Sequence, residues 1–297
     1  MKGNCSLCLK NKTLQESHII PRFVFKLFKR TTGSSLRGHN TPNKRVQDGI
    51  KEHLLCWDCE QSFNSFETPF CNKIFTPIND PGPNSGVIHY DDWAFKFAVS
   101  LSWRSLLDHS KKGFDHLTFT QQKLAKDALE TWRKFLLGEQ SDVGNFQQHL
   151  LPVDIIDGPI PDNISPYINR YLLRSVDSDI ISSKTSAFVY TKIFRIMIFG
   201  VIEDGHPDLW SGTLIQPNKG VIGDKGGFTY PESLVAYWSG HAEIAHNALS
   251  ELSSKQSNIT KETLLKLAKE GRNDDLFRAI KRDIDRSGKN AFLNHKK

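Results

Sequence analysis

Cys5-Ser6-Leu7-Cys8, Ser17-His18-Ile19-Ile20-Pro21-Arg22 and Leu55-Cys56-Trp57-Asp58-Cys59-Glu60 are three parts of one stretch, residues 5–67, that the rest of the chain serves. Two C-x-x-C pairs separated by a loop have the spacing of a four-thiolate zinc site. Each pair bends into a knuckle that points two sulfurs at one tetrahedral ion. Cys5, Cys8, Cys56 and Cys59 are therefore the expected ligands of a structural Zn²⁺. The alternative, two disulfides or buried thiols, fits less well. Cysteines separated by two residues rarely pair usefully with each other, and nothing else in the chain points to an oxidising compartment.

Between the pairs stands a histidine followed by branched residues and a proline, Ser17-His18-Ile19-Ile20-Pro21, and the second pair reads as the opening of a helix. In this order, about the first seventy residues resemble the zinc-stabilised HNH endonucleases of the ββα-metal superfamily. The resemblance implies a small zinc-bound ββα (treble-clef-like) module that hydrolyses phosphodiester bonds of nucleic acid, DNA more than RNA. It puts His18 at the end of the first strand as general base. It puts Glu60 at the helix start, where the family has a His or Asn that binds the catalytic metal. Two positions depart from the family pattern. Ser17 stands where Asp or His is usual, and the middle Asn would fall near Lys51 or His53. Glu60 can bind Mg²⁺ or Mn²⁺ through oxygen, in a one-carboxylate site completed by waters and substrate phosphate.

With 297 residues, 38% of them hydrophobic and 10% aromatic, the chain can bury one small and one larger domain. The clearest break is Pro81-Gly82-Pro83-Asn84-Ser85-Gly86. The expected division is a zinc-bound HNH-like module over 1–76, a linker over 77–90 and a mainly helical α+β domain over 91–297. The fold class is α+β. No apolar run reaches the length of about twenty residues that spans a bilayer, so no membrane association is expected. Met1-Lys2-Gly3-Asn4-Cys5 lacks the apolar region of a signal peptide. A cytoplasmic location, where thiols stay reduced, follows as the expectation.

Positive charge is concentrated at the start. Residues 1–60 hold 11 Lys/Arg against 5 Asp/Glu, whereas the remainder holds 28 of each. Arg22, Lys26, Lys29, Arg30, Arg37, Lys44 and Arg45 follow one another with no acid among them. That suits a polyanion such as a nucleic-acid backbone; a solvated basic loop without a partner is the plain alternative.

Beyond the second pair, Phe63, Phe66, Phe70 and Ile74 recur at helical spacing. Glu67 lies two turns along the face of Glu60, and Cys71 reads as a buried thiol rather than a fifth ligand. A buried helix is expected over 91–109. A second is expected from the capping box Thr118-x-x-Gln121 to the stop at Gly138. Residues 187–202 are the most apolar segment, with a period that fits helix or strand. Residues 210–215 and 220–228 read as strands, and from Pro231 the chain turns helical, with short helices over 261–270 and 274–286. His241 and His246, five apart on one helix, are out of register for a joint metal site.

Arg104 and His109 also fit the R-x4-H pattern of HEPN ribonucleases, which cleave RNA without metal. The plain reading is a snorkelling arginine and a histidine at a helix C-terminus. Three functions therefore stay in view: a metal-dependent nuclease, a non-catalytic zinc module that binds nucleic acid or a protein partner, and a metal-independent RNase. Several bacterial defence proteins pair an HNH-like module with an unrelated helical domain, an analogy of architecture only. A homodimer would let two modules cut both strands, and no residue decides for or against it.

Overall fold

The structure, a computed structural model, describes residues 1–32, 36–38, 41–46, 48–79, 87–156, 161, 163–223, 227–269 and 275–288. In chain order the elements are β1 (Lys2–Asn4), β2 (Asn11–His18), α1 (Arg22–Thr32), β3 (Leu36–Gly38), β4 (Thr41–Val46), β5 (Lys51–Cys56), α2 (Trp57–Phe70) and α3 (Thr76–Asn79). Then come β6 (Ile88–Asp91), α4 (Asp92–Ser110), α5 (Phe119–Leu137), β7 (Gln148–Pro152), α6 (Ile168–Arg174), β8 (Val176–Ser182), β9 (Ala187–Ile193) and β10 (Ile196–Glu203). The chain closes with β11 (Lys219–Ile222), α7 (Ser233–Ser250), α8 (Ser254–Lys269) and α9 (Asp275–Ser287). The protein is α+β: a cysteine-bearing β-β-α segment at the N-terminus precedes a larger, mainly helical region with strands.

Two compact units emerge, each assembled from three chain segments. The first comprises Met1–Pro21, Ile50–Pro152 and Val176–Tyr230. It holds a three-stranded sheet in the order β1-β2-β5, with α2 against it, and a four-stranded antiparallel sheet in the order β7-β10-β9-β8. Helix α4 lies against all four strands of the larger sheet, and α5 against β10. Gly200 of β10 permits this approach, because a Cβ there would sit 2.6 Å from Ser102 Oγ and 2.9 Å from the Trp132 ring. The neighbouring Phe199 points to the opposite face, where Trp210 meets it at 5.2 Å between centroids. Strands β9 and β10 are thus covered on both faces, and nearly every residue of both is buried. That is why residues 187–202 show no alternation: they form a hairpin, which turns at Phe194 with a left-handed φ of 57°.

The division expected at 77–90 does not separate these units. Helix α2 packs on α4 across that point: Phe70 stacks on Phe97 at 3.6 Å, and Phe63 meets Trp103 edge-on at 6.4 Å. Each such ring removed from water stabilises by about 1.5–3 kcal/mol, so both sides of the Pro/Gly stretch share one core. Residues 80–86 themselves lie outside the described residues. The strands expected over 210–215 and 220–228 reduce to β11 and two isolated bridges, His149↔Leu214 and Ser211↔Thr229. The capping box at Thr118 and the left-handed Gly138 that ends α5 are as the sequence predicts.

The second unit comprises Arg22–Gly49, Val153–Ser175 and Pro231–Lys297. Helix α6 packs on α7 and α9, with Arg170 Nε donating to the buried Asp283 Oδ2 at 3.0 Å. The Phe25 ring of α1 lies against Gly49, where a Cβ would come within 2.3 Å of it. The two C-terminal helices run over 254–269 and 275–287 rather than 261–270 and 274–286.

Candidate metal centre and strand-end histidine

The first cysteine pair sits in the turn between β1 and β2. Leu9 N donates to Cys5 O at 2.8 Å and Cys5 N to Lys10 O at 3.0 Å. Leu9 takes a left-handed φ of 60°, which folds the knuckle back on itself. Ser6 N donates to Leu54 O at 2.9 Å, so the knuckle is fastened to β5. Cys56 ends that strand, and Cys59 lies in the first turn of α2. Sequence spacing alone thus becomes a cluster: the four sulfurs lie within 4.8 Å of one another, and Cys8 Sγ is 3.9 Å from Cys56 Sγ. Tetrahedral Zn–S bonds of about 2.3 Å place sulfurs about 3.8 Å apart. The group can therefore hold a tetrahedral, thiolate-preferring ion such as zinc, and it is the one such cluster among the described residues.

The thiols are unequal. Burial pushes Cys5 up, but backbone N–H groups of Cys8, Cys56 and Leu7 outweigh it and lower its pKa to about 7. The Cys56 amide is one of these donors, at 3.3 Å. Burial raises Cys8 and, more strongly, Cys59. Four thiolates packed this closely repel one another, and a divalent cation removes that cost. Helix α5 supports the knuckle from outside the motif. The buried Arg133 donates from Nη1 to Leu7 O at 3.1 Å, while its Nε pairs with Glu130 Oε2 at 2.8 Å.

His18 is the last residue of β2, paired with Lys51 of β5. The adjacent Ser17 is fully buried, and its Oγ donates to Glu60 Oε2 at 2.6 Å. Glu60 lies in the first turn of α2, where the helix dipole favours a carboxylate. Lys51 and His53, near the family's middle Asn, are exposed on β5. Glu67 Oε1 is 2.8 Å from Arg104 Nη2. Cys71 is half-buried in a π-helical turn that follows α2 and stands apart from the four-sulfur group.

Arg104 is 3% exposed, and its guanidinium also donates to Ser100 O at 3.2 Å and His18 O at 3.1 Å. His109 Nε2 lies 3.3 Å from Ser178 Oγ, and burial lowers its pKa. The two side chains of the R-x4-H pattern are thus each engaged within the first unit.

The basic residues expected to meet nucleic acid fall in the second unit, not in the cysteine module. Arg22, Lys26 and Lys29 are exposed on α1, and Lys44 on β4. Arg30, Arg37 and Arg45 lie on α1, β3 and β4, with side chains outside the described residues. By sequence the second unit carries 21 Lys/Arg against 13 Asp/Glu, and the first 18 against 20. Asn43 extends the basic region. Its side chain donates to Glu251 O at 3.0 Å and accepts from Ser253 N at 2.7 Å, which fixes β4 beside the start of α8 and its exposed Lys255. His241 and His246 lie near tyrosines, His246 stacked on Tyr167 at 3.5 Å and His241 tilted against Tyr237 at 4.2 Å.

No helix among the described residues is long and apolar enough to cross a membrane. No family model, curated protein or solved structure matches the chain.

Proposed function

We propose that the N-terminal module is an HNH-type nuclease centre that hydrolyses phosphodiester bonds of nucleic acid, DNA in preference to RNA. The observation that carries this reading is the placement of His18 at the end of β2, paired with β5, whose last residue Cys56 leads into the helix that bears Glu60 in its first turn.

Cys5, Cys8, Cys56 and Cys59 hold a structural Zn²⁺, which keeps β5 and α2 at a fixed angle. Glu60, steadied by Ser17, would hold Mg²⁺ or Mn²⁺, a fit of hard oxygen donors to a hard ion. When bound, the cation would supply Lewis-acid stabilisation of the phosphoryl and leaving oxygens. His18 takes the proton of the water that attacks phosphorus in line, the opposite P–O ester bond breaks, and the leaving oxygen takes a proton from solvent. The basic residues of α1 and β4 neutralise backbone phosphates, so binding weakens steeply with salt.

The deciding experiment is plasmid and RNA cleavage by the wild type, His18→Ala and Glu60→Ala, each checked for zinc, in Mg²⁺, Mn²⁺ and EDTA. Metal-dependent cutting lost in both variants at full zinc occupancy is the expected result. Cutting that survives His18→Ala overturns it, and RNA cleavage in EDTA would point to Arg104 and His109 instead. A second reading is favoured by the full burial of Ser17 and its commitment to Glu60. In it the module is a non-catalytic zinc fold that binds nucleic acid or a protein partner, and it gives salt-sensitive binding without turnover.

A further inference from the structure

The β2–β5 ladder stops at His18: beyond its pairing with Lys51, the last tie is Ile19 N to Ile50 O at 3.1 Å. Strand ends open readily unless something outside the sheet holds them. Here that contact comes from α4, eighty-six residues away, where Arg104 Nη1 donates to His18 O at 3.1 Å. The same guanidinium pairs through Nη2 with Glu67 Oε1 at 2.8 Å and lies 5.2 Å from the Phe63 ring centroid. Its Nε is held by Ser100 O at 3.2 Å. Phe63 and Glu67 both belong to α2, the helix that carries Glu60.

A guanidinium offers its donors in one rigid plane. With one edge on the backbone of His18 and another on Glu67, it sets the distance between the strand end and α2. We infer that Arg104 is the positioning residue of this site: it holds His18 in register with the helix that bears Glu60. The assignment rests on the nuclease reading for its consequence in rate. Lysine cannot reproduce it, because a single ammonium on a flexible stem does not span both acceptors in fixed geometry. If Arg104 merely balanced the charge of Glu67, removing both together would leave His18 undisturbed.

The test uses the zinc-loaded full chain with histidine ring carbons labelled. Arg104→Lys and the double variant Arg104→Met with Glu67→Met are compared with the wild type; the double variant leaves no uncompensated buried charge. Cleavage of a duplex gives kcat and KM, and NMR gives the His18 ring signals, assigned with His18→Gln. The expectation is a kcat lowered by about tenfold to hundredfold in both variants, the scale of an ångström-sized misplacement. KM should stay within about twofold and the His18 signals should move. A double variant that folds, keeps zinc and retains both kcat and the His18 signals overturns the assignment. Should the wild type cut nothing, the nuclease reading falls by itself. The ring signals then still decide: unmoved in both variants, they refute the positioning role.

Discussion

Ser17 Oγ and Glu60 Oε2 lie 2.6 Å apart across the corner between β2 and α2, the serine fully buried and the glutamate in the first turn of the helix. Ser17→Ala removes a hydrogen bond to a carboxylate, so a loss of about 1.5–3 kcal/mol is expected in urea unfolding. Ser17→Asp puts two carboxylates in contact and should tighten Mn²⁺ binding, read by calorimetry, while lowering the stability of the Mn²⁺-free protein near neutral pH. Unchanged Mn²⁺ affinity would show that this corner is not a cation site.

Zinc uptake should release protons. Cys8 and Cys59 have raised pKa values and stay protonated near pH 7 without metal, so about two or more protons leave on binding. Calorimetry in buffers of different ionisation enthalpy measures this, and zinc affinity should fall as the pH is lowered. Zinc binding that is independent of pH between 6 and 8 would contradict a four-thiolate site.

Arg133→Met takes away the donor to Leu7 O. It should lower stability by about 1–2 kcal/mol and speed zinc transfer to a chelator, with the zinc stoichiometry unchanged. Release kinetics equal to those of the wild type would show that the knuckle stands without α5.

His149 is buried, stacked on Trp210 at 4.5 Å with Nδ1 2.9 Å from Thr213 Oγ1, and burial lowers its pKa to about 4. The unfolded chain binds the proton near pH 6.5. The stability from the neutral ring is therefore complete above about pH 6.5 and is lost as the pH falls toward 4, by up to about 3 kcal/mol. Denaturant unfolding from pH 7 to 4 should show this slope, and His149→Gln should flatten it.

For nucleic-acid binding, replacing Lys26, Lys29 and Lys44 singly by Gln should each reduce the slope of log affinity against log salt by about one. Equal slopes in all variants would move the contact surface elsewhere.

Local chemistry was legible in the sequence. The C-x-x-C spacing, the Thr118 box and the Gly138 stop each depend on residues within one turn or one knuckle of each other. Arg104 and Arg133 were not legible in their roles, because their partners lie 86 and 126 residues away and leave no periodic trace. In sequence Ser17 reads only as a departure from the family's Asp or His, whereas in the structure its hydroxyl donates to Glu60. The hairpin of β9 and β10 is ambiguous in sequence because burial on both faces erases alternation, whereas β8 is half-buried along most of its length and offers no apolar run. The basic run was found, but its membership in the second unit depends on α6 to α9, which only tertiary contacts reveal.

The interleaving of the two units sets the order in which they can be completed. The chain passes from one to the other five times. When synthesis reaches Tyr230 the first unit has all of its residues, while the second has only α1, the β3–β4 hairpin and α6. The apolar side of α6 then waits for α7 and α9, its packing partners, until the C-terminal segment clears the ribosome. A chain stopped at Tyr230 would carry a finished cysteine cluster while its second unit still lacked α7 to α9. Docking of α7 and α9 on α6 thus becomes the step that completes the second unit.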